Sequence, residues 1–103
     1  MTKINIARDF SLFPGGRYRT DGEHSGEEFR DEYLVPALAK NELVQIELDG
    51  TRGYGSSFLE ETFGGLVRIG NTPEDLLKMI VLVSRKPALV EEIQDYINAA
   101  ALN

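Results

Sequence analysis

The chain has 103 residues, 42% of them hydrophobic and 27% charged, with a formal net charge of −6 and no cysteine. That length supports a single domain, residues 1–103, around one core. Lack of cysteine excludes disulfides, thiolate nucleophiles and cysteine metal sites, and the acidic balance argues against a surface that grips nucleic acid through its phosphates.

No apolar run reaches the ~18 residues that cross a bilayer, so no membrane span is expected. Met1 to Arg8 lacks the apolar stretch of a signal peptide, which makes a cytoplasmic location the expectation. Ile4 and Ile6, with Lys3 and Asn5 around them, alternate as an opening strand does, and Phe10 to Phe13 read as a second short one. Pro14, Gly15 and Gly16 then mark a turn, and a mixed-charge loop runs through Asp21 and Gly22.

Ser25-Gly26-Glu27-Glu28 has the form of a capping box, with the serine accepting from the Glu28 N–H and the glutamate reaching back. Phe29, Tyr33, Ala37 and Leu38 follow at helical spacing, with Glu27, Arg30, Asp31 and Lys40 placed toward water. Pro36 is expected to kink or restart this helix, because it lacks the N–H that the preceding turn needs. Leu43 to Leu48 reads as a strand with Val44, Ile46 and Leu48 on one face and a partly covered face of Gln45 and Glu47. Asp49-Gly50 ends it. A loop through Thr51 and Gly55 leads to Ser56 and Ser57, read as the N-cap of a second helix carrying Phe58, Leu59, Phe63 and Leu66. Gly64 and Gly65 within it predict close packing on the sheet or an early end. Thr72-Pro73 opens a third helix, and Met79 to Val83 is an unbroken apolar run expected to form a strand covered on both faces. Pro87 opens a last helix whose stripe is Leu89, Ile93, Tyr96 or Ile97, and Ala100. Strands alternating with helices predict an α/β fold with a mainly parallel or mixed sheet and crossover helices.

Enzyme signatures are sparse, and no catalytic residue is assigned. The single histidine, His24, precedes a helix start and reads as a surface residue, and one histidine without cysteine makes a zinc site an unsuitable reading. Asp49, Glu60 and Glu61 do not have calcium-loop spacing, so neither metal nor cofactor is expected. Ser56, His24 and Asp49 could be written as a triad, but nothing in the sequence brings them together, and Gly55-Ser56-Ser57-Phe58-Leu59 is not a nucleophile elbow. Gly50 to Ser57 lacks both the Gly-Lys-Ser/Thr end of a P-loop and the dinucleotide glycine spacing. It reads either as a tight strand-to-helix turn, with Gly53 or Gly55 at positive φ, or as a cradle for a small anion or nucleotide at a helix start.

Val44 to Gly50, a loop, and then Gly55-Ser56-Ser57-Phe58-Leu59 resemble the central motif of STAS domains, where a strand runs into Asp-Ser-Ser-Gly or Asp-Ser-Thr-Gly at a helix start. Gly55 stands where that motif has aspartate, and Phe58 where it has glycine. With Phe13-Pro14-Gly15-Gly16-Arg17, Ser25 to Arg30 and Asp49 to Leu66, the pattern is closer still to a bacterial STAS-like family of unknown function, over roughly Ile4 to Val83. The resemblance implies a STAS-like interaction module, not an enzyme, that meets a kinase-like ATPase or other signalling protein. It implies partner contacts at Asp49, Arg52, Tyr54, Gly55, Ser56, Ser57 and Phe58, with Ser56 and Ser57 as phosphorylation candidates or simple helix caps.

Overall fold

Alternating apolar residues build the sheet. The computed structural model describes residues 1–102, and among these three strands pair in parallel: β1 (Thr2–Asn5), β2 (Val44–Glu47) and β3 (Ile80–Val83), in the order β1-β2-β3. Register aligns Ile4 with Ile46 and Leu82, and Asn5 with Glu47 and Val83. Because side chains alternate, Ile4, Val44, Ile46 and Ile80 fall on one face and are buried. Lys3, Gln45, Glu47, Val81 and Val83 fall on the other, which is at least partly exposed.

Among the described residues, four helices of seven residues or more accompany these strands. Residues 26–38 form α1, residues 56–68 form α2, Pro73–Met79 is α3 and Pro87–Ala100 is α4. Parallel neighbours in sequence order, joined by crossovers of one hand, receive their helices on one face of the sheet. The core lies there: Phe29, Leu34, Phe58, Phe63 and Leu66 from α1 and α2 and Ile93 and Ile97 from α4 join the buried strand residues. The sheet is therefore covered on one side. That corrects the expectation for residues 79–83: β3 is an edge strand, Val81 is 39% exposed, and its apolar run is not sandwiched.

A second strand at Phe10 to Phe13 does not form. Ile6–Phe10 is instead a wide π turn closed by the Ser11 N–H donating to Ile6 O. Local side chains hold it, the Asn5 Oδ1 accepting from the Arg8 N–H at 3.0 Å and Asp9 accepting from the Asn5 N–H at 2.8 Å. Such side-chain bonds compete with strand pairing. The turn swings Phe10 inward against Phe29 (centroids 5.0 Å apart), Tyr33 and Phe58.

The Ser25 cap forms, with the Glu28 N–H donating to Ser25 Oγ at 3.2 Å, while the Glu28 carboxylate reaches back to the His24 N–H. Pro36 acts through a π turn at Arg30–Leu34, where the Val35 N–H donates to Arg30 O, five residues back. The widened turn accommodates the missing proline donor and lets the helix continue through Val35–Leu38. Thr72 caps α3 by accepting from the Asp75 N–H, and Pro73 and Pro87 occupy first-turn positions as expected.

Candidate functional site

The carboxyl ends of β2 and β3 set the site. Ligands of open parallel sheets bind beyond this edge, where the strand-to-helix loops gather. Here the loops are 49–55 and 84–86, and Asp49 ties them together. Its carboxylate accepts from Ser84 Oγ at 2.8 Å and from the Arg85 N–H at 2.9 Å. Those donors, the Arg85 backbone first, hold Asp49 below the usual carboxylate range. Ser84 Oγ in turn accepts from the Lys86 N–H at 3.0 Å.

Two backbone positions in the first loop require glycine: Gly50 at φ 104° and Gly53 at φ 123°. Gly55 is extended at φ −72°, so the conformational demand falls on Gly53 and not on Gly55. Tyr54 folds under the loop, stacking on Phe58 at 6.0 Å and donating its hydroxyl to Leu48 O at 2.5 Å. Burial pushes the Tyr54 phenol up to about 12. Between the loops and the start of α4 lies a cavity of about 550 Å³, lined by residues including Arg52, Tyr54, Arg85, Lys86, Leu89 and Glu92.

A third segment joins from the amino-terminal side. The Arg52 N–H donates to Leu12 O at 2.8 Å. This bond holds Leu12 and Phe13, 44% and 68% exposed, beside the β2–α2 loop. Phe13 is itself fixed by its N–H donating to Ser11 Oγ.

Behind this edge, α1 and α2 meet through charges. Arg30, nearly buried, pairs with the Glu61 carboxylate and also contacts Asp31. Arg17 pairs with Glu60, and Arg68 with both Glu60 and Glu61. The Arg68 and Arg17 hydrogen bonds keep the Glu60 carboxyl below its ordinary range. Close approach depends on glycine. A Cβ at Gly26 would meet Phe58 O at 2.6 Å, and one at Gly65 would meet the Arg30 guanidinium at 2.5 Å. Gly64 and Gly65 thus make room for this charge network, and α2 runs on past them to Arg68.

The profile of a family described as the STAS-like domain of unknown function (DUF4325) matches residues 25–88. The chain belongs to this family. No curated protein and no solved structure matches. The matched part of the STAS-like domain runs from the cap of α1 to the first turn of α4, so it contains both strand-end loops, while the Phe13-Pro14-Gly15-Gly16-Arg17 segment precedes it.

Within this STAS-like domain the partner-facing residues expected from sequence divide into two groups. Asp49, Arg52 and Tyr54 line the cavity, and Gly55, Ser56 and Ser57 are exposed at the start of α2. Phe58 is fully buried in the core and is removed from the set, since it faces Phe10, Phe29 and Tyr54. Ser56 is not the cap of α2. Gly55 occupies that position without a side-chain bond, and Ser56 and Ser57 are the first helical residues. Arg30 is 8% exposed instead of facing water, because Glu61 awaits it across the helix contact. Asp49 is engaged by Ser84 and Arg85, and His24 packs edge-on against Phe10 at 5.4 Å. No helix among the described residues is long and apolar enough to cross a membrane.

The sequence alone does not bring Leu12, Phe13, Arg85 and Lys86 to this edge of the sheet, where the structure places them. A strand at Phe10 to Phe13, the reading its composition favours, would hide two residues that the structure leaves exposed. The signal for the other pair was Ser84-Arg85-Lys86-Pro87, a polar break between a strand and a proline-started helix, where a parallel sheet places its loops.

Proposed function

We propose that this STAS-like domain is a regulatory protein-interaction module, without chemistry of its own, that docks a signalling partner on the surface formed by Leu12, Phe13 and residues 52–57. By family resemblance the partner is a kinase-like ATPase. The observation that carries this reading is the exposure of Leu12 and Phe13, whose main chain is tied to the β2–α2 loop by the Arg52–Leu12 bond, together with that of Ser56 and Ser57 at the helix start this loop leads into. Apolar side chains left exposed together and rimmed by polar residues mark protein-interaction sites.

Ser56 and Ser57 are the phosphorylation candidates in this scheme. Neither hydroxyl caps α2, so modification removes no fold-holding bond. A phosphoryl group adds about −1.5 to −2 charges, which a helix start tolerates and an apolar docking surface does not. Glu60 and Glu61, one turn on, are held by arginines, which lowers their repulsion of such a group. The reading is tested by quantitative affinity capture with wild type, Ser56→Asp and Phe13→Asp. Both variants are expected to stay folded and to lose the same partner. Unchanged retention by both sinks the proposal.

A further inference from the structure

Most arginines of this acidic chain are neutralised within the molecule. Arg8, Arg17, Arg19, Arg30 and Arg68 each form an ion pair with a carboxylate. Among the described residues, Arg52 and Arg85 are the two arginines that form none, and with Lys86 they line the cavity at the carboxyl ends of β2 and β3. They arrive there from two separate loops, residues 49–55 and 84–86, fastened to each other through Asp49.

In a protein of net charge −6, this lining is unusual in carrying more cations, Arg52, Arg85 and Lys86, than carboxylates, Asp49 and Glu92. Neither carboxylate forms an ion pair with these cations, since each is turned to other donors. Both Asp49 oxygens accept from Ser84 and Arg85, and Glu92 accepts from the Tyr96 hydroxyl at 2.7 Å. The remaining lining sets an apolar side of Leu48, Ala88, Leu89 and Tyr54 beside the loop residues Gly50, Thr51 and Gly53. A volume of about 550 Å³ falls inside the ~300–1,000 Å³ typical of small-molecule sites, which combine apolar lining with a few placed polar groups. Guanidinium groups match phosphate oxygens in a bidentate way, and lysine adds a point charge.

We infer that this cavity binds a small organic phosphate monoester, its phosphate on Arg52, Arg85 and Lys86 and its apolar body against Tyr54, Ala88 and Leu89. This site shares Arg52 and Tyr54 with the partner surface and adds Arg85, Lys86 and Leu89, which that surface does not include. The ligand test also needs no partner, so the two proposals fail separately.

The experiment is an amide NMR titration of the whole chain with inorganic phosphate and with phenyl phosphate, each against sodium chloride of matched ionic strength. Saturable shifts are expected at Gly53, Arg85 and Lys86, with phenyl phosphate saturating at least about tenfold lower than phosphate. Arg85→Ala/Lys86→Ala is expected to weaken both by at least about tenfold at an unchanged melting temperature, and Arg52→Gln provides the same reading should that pair fail to fold. Absence of saturable shifts at these amides with both compounds overturns the assignment, as does a folded variant that titrates like wild type. Phenyl phosphate binding no tighter than phosphate overturns the role given to the apolar wall.

Discussion

Glu61→Ala offers the sharpest test of how this fold is held. Glu61 is buried, with its side chain 8% exposed, and it takes the guanidinium of Arg30, whose side chain is 10% exposed. Removing the carboxylate leaves Arg30 with Asp31, itself 42% exposed, and with Glu61 O at 3.3 Å. Breaking a buried pair from one side costs about 3–5 kcal/mol, because the abandoned charge stays desolvated. The retained Asp31 contact places the expectation at the low end, about 3 kcal/mol. With a urea slope of about 1.5 kcal/mol/M, the midpoint falls by about 2 M. Glu32→Ala is the control: its pair with Arg19 is roughly half exposed on both sides, and such surface pairs are worth about 0–1 kcal/mol. A Glu61→Ala loss below about 1 kcal/mol would show that Arg30 rehydrates without cost and that the α1–α2 contact is not held by this pair.

Two further outcomes follow from the loop and the charge network. Gly53→Ala, at φ 123°, is expected to lose about 1–3 kcal/mol of stability in urea unfolding. Gly55→Ala, at φ −72° with open space around its Cβ, is expected to lose only the smaller preference of an N-cap for glycine over alanine, less than about 1 kcal/mol, and an effect as large as that of Gly53→Ala would refute the assignment of the strained position. The Glu60 carboxyl is depressed in the folded state, first by Arg68. The unfolded chain therefore takes up this proton more readily, and the stabilisation is complete above the unfolded value of about 4.3 and is lost as pH falls through the lower folded value. Urea midpoints measured from pH 6 downward should converge for wild type and Glu60→Gln, and a constant gap across that range would contradict the linkage.

Local chemistry made much of the fold legible. The Ile4 and Val44–Ile46–Leu48 alternations, the Ser25 and Thr72 caps and the prolines at 73 and 87 each identify an element from a few neighbouring residues. What sequence hid was long-range. Arg30 looks like a solvent-facing helix residue until Glu61, 31 positions on, is brought against it through space left by Gly65. The apolar run at 80–83 reads as sandwiched, yet strand order puts β3 at an edge with Val81 in the open. At the strand-end loops, Asp49, Arg52, Tyr54 and the two serines are implied by the STAS-like resemblance; the structure puts the first three in the cavity lining and leaves the serines exposed. Phe58 was misplaced outward because nothing local reveals that Phe10 and Phe29 close over it. Leu12 and Phe13 were hidden by a turn whose bonds are made by Asn5 and Asp9.

The interaction surface is the central claim, and differential capture tests it most directly. Wild type, Phe13→Asp, Ser56→Asp and Val81→Asp are immobilised at equal density and their retained proteins quantified together. Val81 lies on the uncovered sheet face away from the core and controls for a general effect of added charge. The account predicts one stoichiometric partner held by wild type and Val81→Asp and lost from both other variants, with all four chains melting as folded domains. A partner retained by Phe13→Asp and Ser56→Asp but lost from Val81→Asp would place the interface on the open sheet face and contradict it.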